Sequence, residues 1–260
     1  MIKEIYKKLI PEKRRLYNRT LLNKLTSVFY WGNNFKCNCC GKSFRKFKPK
    51  GNFNPRPNAV CPFCNSLERL RLLLFYLQNE TDIFTAQRSL LHFAPEEQMK
   101  VIFKRTLTLT YTNVDLNPNF ADEQADITDL QYSDKSFDYI ICSHVLGHVP
   151  DEAKAISELY RVLKDDGAAF IMTIINWNNP KTFESEDIQT VEERLKYYTE
   201  PDLVRLHGAD FATRIEKEGF HVESIDYRSH FDKKTRERYS LGDGNREFIF
   251  KCTKRELGVM

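Results

Sequence analysis

Apolar residues follow two different spacings from residue 89 onward. Short apolar runs of strand length occur at 90–94, 109–114, 139–142, 168–175, 222–227 and 248–252. The stretches 97–105, 151–163 and 210–218 instead repeat apolar residues every three or four positions, which is the period of an amphipathic helix. Gly167 and Gly219 are expected to end the last two helices, because glycine readily adopts the left-handed backbone of a helix C-terminus. Alternating strands and helices predict an α/β fold, a doubly wound sheet with helices on both faces.

The N-terminal residues 1–29 are predicted to form amphipathic helices. Pro11 divides the pattern and is expected to open the second helix, because proline is tolerated in a first turn. We expect the apolar stripe to pack against the body of the protein; the alternative is peripheral attachment to a membrane, with the basic face on anionic head groups. The stripe of residues 1–29 consists of Ile2, Ile5, Tyr6, Leu9, Leu21, Leu22, Leu25 and Val28.

Another helix is predicted from Ser66 as N-cap.

Composition excludes a disordered chain, and charge divides the molecule in two. The 260 residues are 41% hydrophobic and 13% aromatic, which is typical of a globular protein. Residues 1–71 hold 17 Lys and Arg against 3 Asp and Glu, or +14, whereas residues 72–260 hold 23 against 33, or −10. The basic end therefore predicts an anionic partner. Without a signal peptide or transmembrane run in the sequence, we expect a cytoplasmic protein, held at the inner face of the membrane if the helices attach there.

Cysteines between residues 30 and 65 predict a small zinc ribbon. Cys37 and Cys40 form one Cys-x-x-Cys pair, and Cys61 and Cys64 form a second pair 20 residues later. Two intervening residues let a tight turn present both sulfurs to one tetrahedral ion, so we expect structural Zn²⁺; the alternatives are an iron–sulfur centre and an unmetallated remnant. Cys39 is ambiguous, because one-residue spacing suits a tetrahedral site badly. Residues 66–260 then form the main domain.

The ends of the predicted strands carry candidate ligand groups. No G-x-G-x-x-G follows the first strand, which disfavours NAD and FAD. Asp115 ends the second strand, where ribose hydroxyls are usually bound in such sheets.

Several segments in this region resemble, in order and spacing, the class I S-adenosylmethionine-dependent methyltransferases. They are HFAPEE at 92–97, NVD at 113–115, ADITDL at 125–130, DKSFDYIICSHVLGHVPD at 134–151 and ELYRVLKDDG at 158–167. With the cysteine pairs, the chain is similar to type 11-like members from a bacterial subgroup that has an N-terminal zinc ribbon. The resemblance implies a seven-stranded Rossmann-like sheet of order 3-2-1-4-5-7-6.

The resemblance also implies an S-adenosylmethionine site. Phe93, Ala94, Pro95 and Glu96 would pass beneath the methionine part, and Asp115 would bind the ribose hydroxyls. The adenine would be flanked by Leu116 and would meet Asp126 and Ile127, while Ser143 and His144 would line the floor near the transferable methyl group.

Methylation of a hydroxyl needs a base, and the histidines offer candidates. His144 is the first choice, His148 the second, and His207 is a further candidate. Gly147 stands where relatives carry glutamate, which weakens the case for a catalytic metal. The insertion 176–208 is expected to cover the acceptor mouth, and its aromatic and cationic side chains suit a sugar or phosphorylated acceptor. The predicted acceptor residues are Trp177, Arg194, Tyr197, Tyr198, Arg205 and His207.

The subgroup implies O-methylation of a sugar in a surface or lipid-linked glycan, with a polyanionic or lipid-linked acceptor. The alternative is an RNA methyltransferase that holds nucleic acid on its basic ribbon. A third reading, motivated by Gly147, is a cofactor-binding scaffold with weak or no catalysis.

Overall fold

An N-terminal helix and two small hairpins precede the main sheet. The computed structural model describes residues 10–51 and 55–254. Pro11 directly precedes the first helix with a φ of −53°, as expected for a residue that opens a helix; the predicted helix before it lies outside the described residues. The elements are α1 (Glu12–Thr26), a 3₁₀ turn (Ser27–Tyr30), and the antiparallel pairs β1 (Trp31–Lys36) with β2 (Ser43–Phe44) and β3 (Lys48–Lys50) with β4 (Arg56–Val60).

The remaining residues build a seven-stranded sheet with helices on both faces. Its strands lie in the order β7-β6-β5-β8-β9-β13-β12, with β13 antiparallel to both neighbours, which confirms the predicted order. The main-domain elements are α2 (Glu68–Glu80), β5 (Arg88–Phe93), α3 (Glu97–Lys104), β6 (Leu109–Asp115), β7 (Glu123–Gln124), β8 (Phe137–Ser143), α4 (Glu152–Val162), β9 (Leu163–Met172), β10 (Phe183–Glu184), α5 (Val191–Tyr198), β11 (Arg205–Leu206), α6 (Phe211–Lys217), β12 (Phe220–Ile225), α7 (Lys233–Tyr239) and β13 (Ile249–Lys254).

Burial on both faces explains why the central strands are apolar almost throughout. Ile140 and Ile141 of β8 are both fully buried although they point to opposite faces, and they belong to different core clusters. A strand covered on both faces loses the alternation of apolar and polar residues that marks a half-exposed strand. None of the helices within residues 10–51 and 55–254 is both long enough and apolar enough to cross a bilayer.

Two predicted helix boundaries are wrong for identifiable reasons. Helix α2 begins at Glu68 with Leu67 as N-cap, because the Ser66 hydroxyl lies 3.1 Å from the Cys37 sulfur and is turned toward the cysteines. Gly167 lies inside β9 and does not end a helix. A Cβ at Gly167 would approach the Asp138 carbonyl oxygen to 2.7 Å, so this glycine permits close contact between β8 and β9. Gly219 follows α6 with a φ of +101°, as predicted.

The apolar stripe of the N-terminal helix does not pack against the protein body as predicted. Leu22, Leu25 and Val28 are each at least 60% exposed, and Leu21 is 44% exposed. Polar side chains instead make the contacts between α1 and the rest of the protein: Glu12 accepts from Asn117, and Asn23 donates to Asn65.

Arg71 joins the cysteine ribbon (residues 30–65) to the main domain. Its side chain is fully buried and donates to the carbonyl oxygens of Ser66, Ala59, Tyr239 and Ser240 at 2.7–3.0 Å. These carbonyls belong to the ribbon, to the segment before α2 and to the end of α7. The planar guanidinium offers five donors in a fixed geometry, so one side chain satisfies groups from three segments.

We expect Arg71→Met to destabilise the protein strongly. The substitution removes a donor from four carbonyl oxygens, of which the Ser66 oxygen keeps the Cys61 N–H, and each buried group left unsatisfied costs about 1–3 kcal/mol. Urea unfolding should therefore show a loss of at least about 3 kcal/mol. Arg14→Met, at an exposed position of α1, is the control and should change the free energy of unfolding by less than about 0.5 kcal/mol. Equal stabilities of the two variants would contradict this role.

Candidate functional site

The C-terminal ends of β5 and β8, at the middle of the sheet, adopt unusual backbone conformations. Ala94 follows β5 with a φ of +45°, and His144 follows β8 with a φ of +58°. Residues other than glycine rarely occupy this region, and such strain concentrates at functional sites. The Ala94 N–H donates to the Val114 carbonyl and the His144 N–H to the Met172 carbonyl, which fixes each turn to the neighbouring strand.

Polar atoms at these strand ends are buried without a hydrogen-bond partner. They are His92 Nε2, Glu96 Oε2, Ser143 Oγ and His144 Nε2. Most buried polar atoms in folded proteins have a partner, because desolvating one without compensation is costly. His92 Nε2 and Glu96 Oε2 lie 3.7 Å from each other, so Ser143 Oγ and His144 Nε2 are the two that indicate a place where a polar ligand supplies the missing bonds.

Glu96 contributes an ionised carboxylate to this cluster. Burial alone would raise its pKa, but the neighbouring His92 and the positive charge of Arg69 lower the pKa below its usual value. Arg69 holds one carboxylate oxygen at 3.2 Å. The other oxygen, Oε2, is buried without a hydrogen-bond partner and lies 3.7 Å from His92 Nε2.

The second strand end places a further carboxylate beside the first. Asp115 ends β6, and its Oδ1 accepts from the Asn117 N–H at 2.7 Å, which fixes the carboxylate orientation. The pairing of β6 with β7 returns the chain to this point, since the Ala125 N–H donates to the Asp115 carbonyl. Asp126 and Ile127 follow directly. The Asp126 carboxylate binds the backbone and hydroxyl of Thr128, and these bonds lower its pKa.

A cavity of about 300 Å³ adjoins the strand ends and carries more cationic than acidic side chains. The cysteine ribbon contributes Lys50 and Arg56 to its lining, and the main domain contributes Arg69 and Arg246. The pKa of Arg246 is lowered, first by burial and then by the charge of Arg56. Each arginine also has a carboxylate partner: Arg56 has Glu68, Arg69 has Glu96 and Arg246 has Glu200. With Glu200 and Asp202 also in the lining, four cationic residues face two acidic ones, and this excess of positive charge favours an anionic occupant.

His144 and His148 also line this cavity. Burial, together with the positive charges of Arg69 and Arg246, lowers the pKa of His144 well below its usual value. Its imidazole is therefore neutral at physiological pH, and Nε2 has no hydrogen-bond partner. A neutral imidazole with an unoccupied ring nitrogen can accept a proton from a bound hydroxyl. His148 is tied through Nδ1 to the Asp202 carbonyl at 3.1 Å.

Part of this domain is similar to known proteins. The sequence model of the methyltransferase domain family matches residues 96–171. Demethylmenaquinone methyltransferase from Lactobacillus johnsonii is 40% identical over 58 residues, which are 22% of this chain and 24% of that protein. The ubiquinone/menaquinone biosynthesis C-methyltransferase of Bdellovibrio bacteriovorus is also 40% identical over 58 residues, 22% of this chain and 25% of that protein. The chain thus spans about a quarter of the length of these curated relatives.

A solved structure agrees on the fold. The [4+2]-cyclase SpnF covers 73% of this chain and 83% of its own, with a TM-score of 0.50 and 14% sequence identity. This likeness concerns the fold, and the family match identifies its type. The main domain is a class I methyltransferase domain. Because SpnF is named a cyclase, the reaction of this protein has to be argued from its own site residues.

The structure brings together the residues predicted for the cofactor. Residues 93–96 follow β5, Asp115 and Leu116 follow β6, and Ser143 and His144 follow β8, so all lie at one edge of the sheet of the methyltransferase domain. The Leu116 side chain is 68% exposed, whereas Ile127 is buried. The assignment of these residues to the cofactor stays a prediction.

Three residues predicted to bind the acceptor have structural roles instead. Tyr198 is fully buried and its hydroxyl accepts from the Ser185 N–H. Arg205 is 4% exposed and donates to three carbonyls of the segment after β8. His207 is 1% exposed, with Nδ1 bonded to Thr173 and Nε2 bonded to Glu152, so neither nitrogen is free to act as a base. These residues anchor the insertion because each finds partners in the domain beneath.

The other three predicted acceptor residues also lie outside the cavity lining. Trp177 packs on Phe248, and Tyr197 lies beside Phe183. Arg194 Nε is buried without a hydrogen-bond partner, but the side chain does not line the cavity. Glu200, Asp202 and Leu203 are the residues of the insertion that do, and the sequence analysis missed them. The turn-forming residues Thr-Glu-Pro-Asp at 199–202 were the available signal.

Gly147 allows the insertion to close on the methyltransferase domain. A Cβ there would come within 2.6 Å of the Leu203 side chain, and the Gly147 carbonyl accepts from the Val204 N–H at 2.9 Å. The absence of glutamate at this position is therefore linked to the packing of Leu203 in the cavity wall.

The cysteine pairs form a second candidate site, away from the strand ends. The Sγ atoms of Cys37, Cys40, Cys61 and Cys64 all lie within 4.8 Å of one another, with Cys37 and Cys64 at 3.6 Å and Cys40 and Cys61 at 3.8 Å. A tetrahedron with bonds of about 2.3 Å to zinc has edges of about 3.8 Å. The geometry therefore fits a Zn²⁺ ion, and Cys39 is outside the group of four.

Both cysteine turns have the same backbone geometry. The Gly41 N–H donates to the Cys37 carbonyl, and the Asn65 N–H donates to the Cys61 carbonyl. Gly41 and Asn65 both have left-handed backbone, with φ of 73° and 60°. Glycine and asparagine tolerate this conformation best, so the sequence specifies two equivalent turns that present their sulfurs to one ion.

We expect one zinc ion per chain, lost on Cys61→Ser. Removing one of four ligands weakens metal binding and unfolds the ribbon, because metal binding and local folding are coupled. Elemental analysis of the purified wild type and of the variant measures the zinc content per chain. Cys39→Ser is the matched control, a buried neighbouring cysteine outside the cluster, and should keep its zinc. Iron in place of zinc would favour the iron–sulfur alternative, and unchanged metal content in Cys61→Ser would contradict the ligand set.

Proposed function

We propose that this protein transfers a methyl group from S-adenosylmethionine to a hydroxyl of an anionic acceptor, with His144 as general base. The observation that carries the proposal is His144, which follows β8 and lines the cavity, with a lowered pKa and a buried, unpartnered Nε2. Structural Zn²⁺ on the four cysteines is part of the proposal.

The residues at the strand ends fit S-adenosylmethionine by their chemistry. The cofactor carries an ammonium and a sulfonium charge, and Glu96 presents an ionised carboxylate whose Oε2 has no hydrogen-bond partner. Asp115 offers a second, oriented carboxylate for ribose hydroxyls, and Ser143 offers a buried hydroxyl. When bound, the cofactor supplies an electrophilic methyl group. The protein contributes by holding the acceptor oxygen in line with that group and by removing its proton.

The cavity supports an acceptor with a phosphate or carboxylate beside its reactive hydroxyl. Arg56, Arg69 and Arg246 form its cationic side, and Lys50 adds a further charge. A volume of about 300 Å³ is at the lower end for small-molecule sites and suits one sugar ring with an anionic substituent. This agrees with the proposed O-methylation of a sugar in a polyanionic or lipid-linked glycan.

RNA is the second candidate acceptor, favoured by the charge of the ribbon region. Residues 13–67 contain 12 Lys and Arg and no Asp or Glu. Such a surface would bind a phosphate backbone while one nucleotide entered the cavity.

The two curated relatives are named for methylation of demethylmenaquinone and for C-methylation in ubiquinone and menaquinone biosynthesis. A quinone precursor would be a neutral acceptor, whereas the cavity carries an excess of cationic side chains.

Cofactor binding is expected to depend on Asp115. Titration calorimetry should show that Asp115→Ala loses about 1.5–3 kcal/mol of S-adenosylmethionine binding, the range for hydrogen bonds to a charged group. Asp115→Asn is the matched variant, because it keeps an oxygen for the Asn117 N–H and removes only the charge. It should bind with intermediate affinity. If both variants bound as tightly as the wild type, the ribose contact would lie elsewhere.

Turnover is expected to depend on His144, with a characteristic pH profile. His144→Gln should lower kcat by about 10²–10⁴, whereas His148→Gln should have a smaller effect. Because the His144 pKa is lowered, the imidazole stays unprotonated as pH falls through about 6.5, the usual histidine range. The wild-type rate should therefore be level there and fall only at lower pH.

The assay is transfer of labelled methyl from S-adenosylmethionine to phosphorylated sugars, to their neutral counterparts and to RNA. Preference for the phosphorylated sugar supports the main proposal, and preference for RNA supports the second candidate. Cofactor binding without turnover on any acceptor would favour the scaffold reading and overturn the assignment of His144.

A further inference from the structure

The first helix is oriented with its apolar side toward solvent. Seven of the fourteen large apolar side chains that are exposed in the described residues fall between positions 17 and 31. We call them the outer face: Tyr17, Leu21, Leu22, Leu25, Val28, Phe29 and Trp31. Exposed fractions reach 73% for Phe29 and 83% for Trp31. Clustered apolar exposure of this kind marks an interaction surface.

The inner side of the helix is held to the protein by polar contacts. Glu12 accepts from Asn117 at 3.0 Å and from Asn119 at 3.3 Å. Asn23 donates to Asn65 at 3.0 Å and accepts from Lys48 at 2.7 Å. These contacts anchor both ends of α1 to the rest of the chain. A helix that folded only to cover the core would carry the reverse pattern, with apolar residues inside.

Cationic side chains border the outer face. Arg14, Arg19 and Lys24 are exposed on the same helix, and no acidic residue occurs between positions 13 and 67. A helix with leucines and aromatic residues on one side and a basic margin is typical of segments that lie in the interface of an anionic bilayer.

We propose that the outer face docks on an anionic lipid bilayer, with α1 parallel to its surface. Charge complementarity decides among the occupants. A second copy of the chain would bring two regions of +14 together, and their repulsion opposes association. A nucleic acid would pair with the basic residues but leave the leucines and Phe29 in water. A bilayer satisfies both, with head groups on the arginines and acyl chains on the apolar side chains. The proposal does not depend on the methyl-transfer reaction.

Co-sedimentation of the full chain with vesicles tests the proposal. The vesicles are made of phosphatidylcholine alone or of phosphatidylcholine mixed with phosphatidylglycerol. We expect binding to the mixed vesicles and much weaker binding to the neutral ones. Leu22→Gln with Leu25→Gln should lower the partition coefficient at least about tenfold, because two large apolar side chains no longer enter the bilayer. Arg14→Gln with Arg19→Gln should reduce the preference for anionic lipid.

The control pair is Leu107→Gln with Val191→Gln. These residues are 97% and 54% exposed and lie outside the outer face and the catalytic residues, so vesicle binding should not change. Thermal unfolding checks that every variant keeps its fold. The absence of binding to either vesicle, or equal losses in the two pairs of apolar variants, would overturn the proposal. Concentration-dependent dimerisation abolished by the leucine variants would identify a second copy instead, and RNA binding lost only in the arginine variants would identify nucleic acid.

Discussion

The buried guanidinium of Arg71 determines how the cysteine ribbon is seated on the methyltransferase domain. A full charge with no access to solvent is tolerated only where hydrogen bonds replace its hydration, and here four carbonyl oxygens do so. Without it these carbonyls would lose a donor, although the Ser66 oxygen would keep another, the Cys61 N–H. Because they come from the ribbon, from the start of α2 and from the end of α7, none of these segments can shift without breaking bonds to a buried charge. These hydrogen bonds therefore hold the ribbon in one position on the methyltransferase domain.

That fixed position creates the cationic cavity. Lys50 and Arg56 of the ribbon face Arg69 and Arg246 of the main domain, and His144 lies between these groups and the strand ends. Arg56 is itself held by Glu68, the first residue of α2, at 3.0 Å. The proposed zinc ion would affect the cavity indirectly, because it would keep the ribbon folded and so keep Lys50 and Arg56 in place. In this arrangement, metal loss would impair the acceptor site without touching the cofactor residues.

The strand ends have the features expected of a ligand site. Left-handed backbone at Ala94 and His144 and four buried polar atoms without partners are each unfavourable for folding alone. Both kinds of cost occur at the same edge of the sheet, where ligands bind in doubly wound folds. A bound cofactor would offset part of this cost by supplying a positive charge to Glu96 and a partner to Ser143, and the acceptor hydroxyl would bond His144. The proposed membrane contact through α1 involves a separate surface, so the two proposals can fail independently.

The sequence by itself determined the fold class and the four-cysteine grouping, and its resemblance to a known family implied the strand order. The first two depend on local spacing: apolar runs and helical periods for the sheet, and two Cys-x-x-Cys turns ending in Gly41 and Asn65. Only the tertiary structure decided which side chains face the cavity. Arg205 and His207 read as acceptor ligands in the sequence, but distant partners at Leu146, Val149, Thr173 and Glu152 bury them. Likewise, helical spacing located the apolar stripe of α1 but did not reveal its direction. Periodicity specifies which residues share a face, whereas the partner of that face depends on residues far away in the chain.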